Sequence, residues 1–451
     1  MKAVQARPRS VPADRPGLVG LFLVAAFLLR LAFSLTTDFW IEDMRQIFLI
    51  GLRFYTTGEW PYFGPDVVYT QTQIPGGLQG LLVGGPLWIV AQPEAPYVLL
   101  NLLSFGALSL LAWYIGRRCP GVPRWFLWIW IFFAPWTLGF STEINNPSYV
   151  LTGAVLFFVG VFELTPALRH DVIPYRIAGF MAGFGVLWVY QLHLSFVLML
   201  PILAAAFILL ALRDRALALT TLFWCAVGAS LPGLTLIPTL LKFGAAAVAR
   251  GTGGNVTMDW THLLRLPEVI ARYLSFASFE APRFVGAGTE ARLIFLAQHW
   301  WAAPFVVFAT LCGIVQALYL FLGLFRREGP PEWPAVRTCT LLILALIYLS
   351  FAFSVKAPSS HTFYVTLPAV MIYSFYVWEP LFAKPWIRIV AVALLVSGAV
   401  THLAIAKDRV FERSLYADRP LVVRAIKEKN YHLVGERRPD VWRTQGSTRP
   451  D

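Results

Sequence analysis

Residues 17–43 read GLVGLFLVAAFLLRLAFSLTTDFWIED, an apolar run that ends near Leu35 and is followed by the acidic pair Glu42 and Asp43. An α-helix needs about 20 apolar residues to cross the hydrocarbon core of a bilayer. This run is long enough, and it lacks the small-residue cleavage site of a signal peptide. The sequence therefore predicts a first membrane-spanning helix that stays attached to the chain, with the acidic pair just outside the membrane.

Apolar runs of this kind recur along the chain. Of its 451 residues, 57% are hydrophobic and only 14% are charged, and the mean hydropathy is +0.63. This composition predicts an all-α, polytopic membrane protein with about eleven transmembrane helices. The predicted spans are residues 17–36, 95–115, 124–141, 147–165, 177–191, 194–212, 217–241, 302–325, 336–355, 363–379 and 386–404.

The run 76–91, GGLQGLLVGGPLWIVA, is left out of this count. It is short, rich in glycine and interrupted by a proline, which is typical of a re-entrant or interfacial segment. With this omission the basic residues of the short loops collect on one side of the membrane, which the positive-inside rule makes the cytoplasmic side. The loops 36–94 and 242–301 and the tail 406–451 then lie on the outer face.

The formal net charge of +12 does not indicate a nucleic-acid partner. Basic residues fall mostly at the ends of apolar runs, where they set topology, and no basic stripe with interleaved aromatic residues occurs. The four cysteines are not spaced as metal ligands, so the sequence predicts neither a structural zinc site nor a disulfide.

The acidic pair has both a structural and a chemical interpretation. The segment from Asp43 to Thr57 has the periodicity of an amphipathic helix in the membrane interface, ending at Gly58. Asp43 with Gln46 fits a capping box. A carboxylate at the mouth of a membrane site is also what a general base requires, and the helix dipole favours its ionised form. The two roles are compatible.

Further polar residues converge on the predicted outer face. Asn146 precedes Pro147 and also fits a helix N-cap, and His193 can also bond a neighbouring helix. Because polar and ionisable groups at a membrane are costly to bury, their convergence predicts a substrate site. The candidate substrate-binding residues are Gln71, Gln73, Glu143, Asn146, Gln191, His193, Lys356, His361 and Arg272.

This arrangement suits an enzyme whose substrate arrives through the bilayer. A lipid-linked substrate would enter sideways, a Lys or Arg would hold its phosphate, and a carboxylate would remove a proton from an acceptor hydroxyl. The cations that can fill the phosphate role are Lys356, Arg272, Arg283 and Arg292.

Several motifs of residues 18–165 occur together in one known superfamily. They are the acidic pair after the first span, the helix closing at Gly58, the segments IPGGLQGLLVGGPLW (74–88) and PEAPYVLLNLL (93–103), and Ser141 with Glu143 at the end of a later span. In these features the chain resembles the GT-C integral-membrane glycosyltransferases, in particular the protein O-mannosyltransferases and lipid A aminoarabinose transferases. It departs from them in having Glu-Asp instead of Asp-Glu, and Ile-Pro-Gly instead of Pro-Pro-Leu.

The resemblance implies a polyprenyl-phosphate-linked sugar donor, a glycan, glycolipid or protein acceptor, and inversion at the anomeric carbon. It implies Asp43 or Glu42 as general base and Glu143 as a second acidic residue of the site. Relatives differ in whether they bind a divalent metal, so the cofactor stays unknown. On this interpretation residues 1–405 form a GT-C-like transmembrane domain of the bacterial inner membrane, with its active site on the periplasmic or extracellular face, and residues 406–451 form a short outer tail.

Two other functions fit the same polar residues. A transporter or flippase of lipid-linked sugars would use convergent polar groups among many helices, but at midplane depth on broken helices. An outer-face glycan polymerase or ligase would use Arg and His of a large outer loop, for which the basic loop 242–301 is the candidate.

Overall fold

The computed structural model describes residues 16–38, 42–67, 72–253, 258–354, 357–410 and 414–435. Apart from one antiparallel hairpin, β1 (Phe63–Val67) with β2 (Thr72–Pro75), the regular structure in these ranges is helical, as predicted. The α-helices are α1 (Pro16–Thr37), α2 (Glu42–Thr57), α3 (Leu78–Ile89), α4 (Ala95–Arg118), α5 (Arg124–Phe133), α6 (Pro135–Thr142), α7 (Val150–Leu164), α8 (Tyr175–Tyr190), α9 (Phe196–Arg213), α10 (Arg215–Gly233), α11 (Ile237–Gly253), α12 (Leu266–Ser275), α13 (Ala281–Val285), α14 (Thr289–Gln298), α15 (Ala303–Gly323), α16 (Trp333–Ser350), α17 (Leu367–Trp378), α18 (Pro385–Arg409), α19 (Ser414–Lys427) and α20 (His432–Gly435).

The apolar helices make the chain an integral membrane protein. Within the described ranges, eight helices are long and apolar enough to cross a membrane, and α5 with α6 forms a ninth span bent by 41°. The remaining two predicted spans correspond to α7 and α8, which have 15 and 16 residues. At about 1.5 Å per residue they are shorter than the hydrocarbon core, and they pack among the longer helices.

Contacts between distant parts of the chain define one end of the helix bundle, which we call the site face. Tyr97, just inside α4, donates a hydrogen bond to Asp38, just after α1. Arg419 of α19 forms an ion pair with Glu94 at 2.6 Å, immediately before α4. Because α1 ends and α4 begins on the same face, the chain between them makes no net crossing of the membrane.

The segment 76–91 forms α3, whose 12 residues, at about 1.5 Å each, are too few to cross the hydrocarbon core. Helix α3 packs against α2 so closely that a Cβ added to Gly84 would lie 2.2 Å from the carbonyl oxygen of Gly51. Trp88 and Ile89, near its end, are exposed. The length of α3 supports its omission from the predicted spans, and the re-entrant or interfacial placement stays a prediction. Helix α2 ends at Thr57 before Gly58, whose φ is +71°.

Glycine-mediated packing holds α8 between α7 and α10. A Cβ added to Gly183 would lie 1.9 Å from the carbonyl oxygen of Cys225, and one added to Gly228 would lie 2.0 Å from that of Phe180. On the other side of α8, Gly185 approaches α7 in the same way. Such small-residue interfaces let membrane helices gain van der Waals contact that larger side chains would prevent.

A buried ion pair ties the helices together at the opposite face. Arg118 at the end of α4 and Glu163 in α7 are both fully buried, with Nη1 and Oε1 3.4 Å apart. Tyr114 donates to Glu163 at 2.8 Å, and Arg118 donates to the hydroxyl of Tyr376 in α17 at 3.0 Å. Since the charges are paired and hydrogen-bonded, this cluster fixes three helices at the end away from the site face.

We expect Gly183→Ala to destabilise the protein, because the added methyl group forces α8 away from α10. Overpacking of this kind costs about 1–3 kcal/mol. Thermal unfolding in detergent measures the effect. Gly106→Ala in α4 is the matched control, since no atom lies within 4 Å of the Cβ it would add. Equal midpoints for the two variants would contradict the close packing of α8 on α10.

Candidate active site

The site is built around the break between α5 and α6. Pro135 has no backbone N–H and interrupts the helical hydrogen bonds to the last turn of α5. Arg30 of α1 is fully buried and donates to the carbonyl oxygens of Phe132 and, at 3.1 Å, of Thr137. His402 of α18 donates from Nε2 to the carbonyl of Phe133 at 2.9 Å. Side chains from the first and the last spanning helix therefore satisfy the carbonyls that the break exposes.

Helix α1 also fixes the orientation of α6 along its length. Arg30 donates to the hydroxyl of Ser141 at 2.7 Å, and Ser34 donates to the carbonyl oxygen of Thr142 at 2.5 Å. Helix α6 ends at Thr142, and Glu143 follows it directly at the site face.

Glu143 forms the acidic centre of the site. Its Oε1 accepts from Nη1 of Arg409, the last residue of α18, at 2.9 Å, and only 7% of Glu143 is exposed. Burial raises the pKa of Glu143 to about 7; Arg409 lowers this pKa and the nearby carboxylate of Asp38 raises it. The candidate site thus holds a buried carboxyl group whose pKa is raised toward neutral pH.

A basic and aromatic cluster lies on the other side of α6. The indole Nε1 of Trp136 donates to Glu280 at 2.8 Å, and the guanidinium carbon of Arg283 in α13 lies 4.8 Å from the Trp136 ring centroid. Within the described ranges Arg283 makes no hydrogen bond through its side chain. Burial lowers the pKa of Arg283, Glu280 raises it, and the neighbouring Arg272 lowers it further. Arg272 itself donates to Glu268 at 2.7 and 2.9 Å.

The two predicted histidines approach each other near the start of α7. His193 Nδ1 is 2.8 Å from the hydroxyl of Ser195, and His361 Nδ1 is 2.8 Å from that of Ser359. Burial lowers the pKa of His193 to about 3, and the charge of His361 lowers it as well. His361 belongs to the 3₁₀ helix Ser360–Thr366, which packs on α7.

Unsatisfied polar atoms occur in the same region. Asn146 Oδ1, Tyr149 Oη and Ser360 Oγ are buried and have no hydrogen-bond partner in the described part of the chain. The turn that carries Asn146 and Tyr149 is fixed, because Trp188 of α8 donates to the carbonyl oxygen of Tyr149 at 2.9 Å. A polar ligand would satisfy these atoms.

The predicted cap at Asn146 is wrong. Helix α7 begins at Val150, and the residues before it form a turn in which the side chain of Asn145 accepts from the backbone N–H of Asn146 at 2.7 Å. The proline at 147 is therefore a turn residue, for which its fixed φ is equally suited.

The remaining candidates lie apart from these clusters or outside the described residues. Gln73 donates to Asp66 at 2.7 Å, and Gln46 of α2 donates to the same carboxylate at 2.6 Å, which joins the hairpin to α2. Buried Gln191 bonds Pro232 and Thr235, both near the end of α10. Gln71 and Lys356 lie outside the described residues.

Glu42 and Asp43 occupy the first turn of α2, on the site face. The helix begins at Glu42, one residue before the predicted start at Asp43. The side chain of Asp43 lies outside the described part of the chain, so the capping box with Gln46 stays a prediction. Within the described ranges no group of three or more His, Cys, Asp and Glu side chains is arranged to hold a metal ion.

Sequence reasoning missed several residues of these clusters. Asp38 directly follows α1, and Arg409 is the last residue of α18. Their partners, Tyr97 and Glu143, are far away in sequence. Arg30 was visible as a lone cation inside an otherwise apolar run of α1, and that is a functional or structural signal by itself. Glu280 carries no local pattern, since only the fold brings it to Trp136.

Comparison with solved structures gives the same architecture. The chain is similar to ArnT from Cupriavidus metallidurans in the apo state, with a TM-score of 0.53 and 11% identity over 88% of this chain and 77% of that chain. Weaker similarities are to ArnT from the same organism bound to undecaprenyl phosphate (TM-score 0.45, 15% identity, 88% and 77% covered) and to the Archaeoglobus fulgidus oligosaccharyltransferase in complex with Zn and sulfate (TM-score 0.42, 15% identity, 86% and 53% covered). No family model and no curated protein matches the chain.

The chain therefore shares the fold of ArnT, which agrees with the GT-C-like fold that the sequence resemblance predicted.

We expect Glu143→Gln to change how stability depends on pH. A carboxyl group whose pKa is raised in the folded state stabilises the fold fully below its unfolded pKa, and this contribution is lost as pH rises to about 7. As the pH rises from about 5 to about 8, thermal unfolding should therefore show Glu143→Gln becoming more stable than the unaltered protein. The difference in the free energy of unfolding should be at most about 3 kcal/mol.

Glu59→Gln is the control for this measurement, because Glu59 is an exposed partner of Arg53. A difference between Glu143→Gln and the unaltered protein that stays constant over this pH range would contradict the raised pKa of Glu143.

Proposed function

We propose that this protein is a membrane glycosyltransferase that moves a sugar from a polyprenyl-phosphate-linked donor to an acceptor at the site face. The observation that carries the proposal is Arg283, a half-buried guanidinium without a hydrogen-bond partner among the described residues, beside Arg272. Two neighbouring cations at the membrane boundary, one of them unsatisfied, favour a bound anion. The phosphate of a lipid-linked sugar has that charge and reaches this depth from the bilayer.

The phosphate subsite also serves the chemistry. When the anomeric C–O bond breaks, the electron pair stays with the polyprenyl phosphate, which gains negative charge. Arg283 and Arg272 stabilise this developing charge, and preorganised donors of this kind supply a large part of catalysis. Trp136 keeps the guanidinium of Arg283 in position by its ring face.

The sugar is proposed to lie against His193, His361 and the turn of Asn146. The imidazoles and the unpartnered oxygens of Asn146, Tyr149 and Ser360 offer donors and acceptors for hydroxyl groups. The Asn146 turn of this subsite follows Glu143 closely in sequence. The turn is joined to α6, because Ser148 donates to the carbonyl oxygen of Phe140 at 2.6 Å.

A carboxylate at the start of α2 is proposed as the general base. Glu42 or Asp43 takes the proton of the acceptor hydroxyl as its oxygen attacks the anomeric carbon from the side opposite the phosphate, so the configuration inverts. Glu143, with its pKa near neutral, is the second acidic residue of the site. The acceptor is a glycan, glycolipid or protein, and the site face is proposed to be the periplasmic face of a bacterial inner membrane.

The position of the polar groups favours this enzyme over a flippase. Asp38, Glu143, His193 and Arg283 lie at helix ends or in loops on the site face, whereas a carrier needs its polar groups at midplane depth. The buried cation inside α1, Arg30, directs its hydrogen bonds to α4, α5 and α6.

We expect Arg283→Ala to weaken binding of undecaprenyl phosphate to the purified protein by about 10- to 100-fold, since a hydrogen bond to a charged group contributes about 1.5–3 kcal/mol. Tryptophan fluorescence titration in detergent measures it, with undecaprenol, which lacks the phosphate, as the second ligand. Arg265→Ala is the matched control, because Arg265 is half exposed and lies near Glu268. Unchanged binding in Arg283→Ala would remove the proposed phosphate subsite.

We expect Asp43→Asn or Glu42→Gln to abolish sugar transfer without loss of protein from the membrane, because an amide cannot accept the acceptor's proton. Mass spectrometry of surface glycans and glycolipids compares cells lacking the protein with cells restored by each variant at matched levels. The variant that fails to restore the missing sugar identifies the base. Full restoration by both variants would exclude a base at the start of α2.

A further inference from the structure

The C-terminal tail packs directly on the helix that carries the acidic pair. Val422, Ala425 and Ile426 of α19 are fully or almost fully buried, which marks a docked face. At the first turn of α2, Arg45 donates to the carbonyl oxygen of Val434. At the other end of α2, Lys429 donates to the carbonyl oxygen of Tyr55 at 3.4 Å.

Lys429 occupies an aromatic cage formed by α2 and α3. Its Nζ lies 3.2 Å from the centroid of the Tyr55 ring and 4.6 Å from that of Trp88, and the two rings meet edge to face at 5.3 Å. Lys429 is an exposed residue, and its ammonium gains cation–π attraction from both rings at one point of the surface. The cage joins the tail to both interfacial helices at one point.

The backbone conformation of Lys429 is a second observation that points to a role for this residue. Its φ is +52°, in the left-handed region that favours glycine. The N–H of Asn430 donates to the carbonyl oxygen of Ala425 at 2.9 Å, and the N–H of Lys429 donates to that of Ile426 at 3.4 Å. These two bonds form a Schellman motif, in which Lys429 occupies the position that is usually glycine. A lysine in this position has an unfavourable backbone that its side-chain contacts must offset, and such strain points to a role.

A third contact anchors the beginning of the docked tail. Arg419 donates to both carboxylate oxygens of Glu94, at 2.6 and 3.3 Å, and to Gln92 at 3.3 Å. These residues form the turn between α3 and α4. The tail therefore bridges the first turn of α2, the α2–α3 cage and the α3–α4 turn.

We propose that residues 414–435 form a strap that positions α2, with Lys429 as the positioning residue for the carboxylates at its start. The role of those carboxylates as base rests on the proposed function. Helix α2 is not a spanning helix, so the membrane does not fix its orientation about its own axis. Contacts with α3, the hairpin and the strap fix the orientation of α2. Among these three, the strap is the one that contacts both ends of α2.

Three single variants distinguish a positioning role of Lys429 from an effect on the folding of α19. Lys429→Gly removes the ammonium and relieves the backbone, so α19 itself should fold at least as well. Lys429→Arg retains a cation for the cage. Arg424→Ala is the control, because Arg424 is largely exposed and pairs within the strap, with Glu428 just after α19, at 2.7 Å.

Hydrogen exchange of the purified full-length protein, read by mass spectrometry, is the test. We expect Lys429→Gly to speed exchange in residues 44–57 about tenfold, with the peptides of α7, α8 and α10 unchanged. Lys429→Arg should stay near the unaltered protein, as should Arg424→Ala. Exchange within about twofold of the unaltered protein in Lys429→Gly, or an equal rise in Arg424→Ala, would overturn the strap.

Binding and transfer distinguish this inference from the proposed function. Lys429→Gly should bind undecaprenyl phosphate as the unaltered protein does, because Arg283 lies outside the strap, and should lower the rate of sugar transfer about tenfold. Faster exchange in α2 with normal transfer would overturn the positioning role of Lys429. Failure of the unaltered protein to bind undecaprenyl phosphate would count against the proposed function and leave the strap supported by the exchange data.

Discussion

The guanidinium of Arg30 is the constraint on which the site depends. A spanning helix that breaks in the hydrocarbon exposes backbone carbonyls, and each unsatisfied polar group there costs several kcal/mol. Arg30 donates to the carbonyls of Phe132 and Thr137 and to the hydroxyl of Ser141, so the bend of 41° can persist without water. No carboxylate among the described residues pairs with it, and oxygen dipoles of α6 and neighbouring helices solvate its charge instead.

The bend sets the direction of three contacts made by α6 and the residue that follows it. Helix α6 presents Trp136 to Glu280 and Gly139 to Phe284, and Glu143, immediately after the helix, pairs with Arg409. A straight continuation of α5 would carry these side chains in other directions. The two faces of the bundle are also built differently. Fully buried Arg118 and Glu163 pair with each other at the opposite face, whereas at the site face Arg283 has no hydrogen-bond partner among the described residues.

The sequence predicted the fold well because membrane crossing depends on composition and length, which are local. The end of α2 at Gly58 and the interfacial α3 followed from the same local rules. The partners of the site residues did not follow, since Arg409 meets Glu143 across 266 positions of the chain. Asn146 shows the limit even of a local rule. Asn-Pro fits a cap and a turn equally well, and packing against α6 and α8 selected the turn.

Helices α2 and α3 lie along one side of the membrane, and α3 exposes Trp88, Ile89 and Val90 at its end. Interfacial helices insert at the boundary between headgroups and acyl chains, where they occupy area in one leaflet only. The protein thus displaces more lipid from that leaflet than from the other. Helices placed in this way occupy more area in one leaflet, and a leaflet that is curved or loosely packed accommodates them with less work than a flat, tightly packed one.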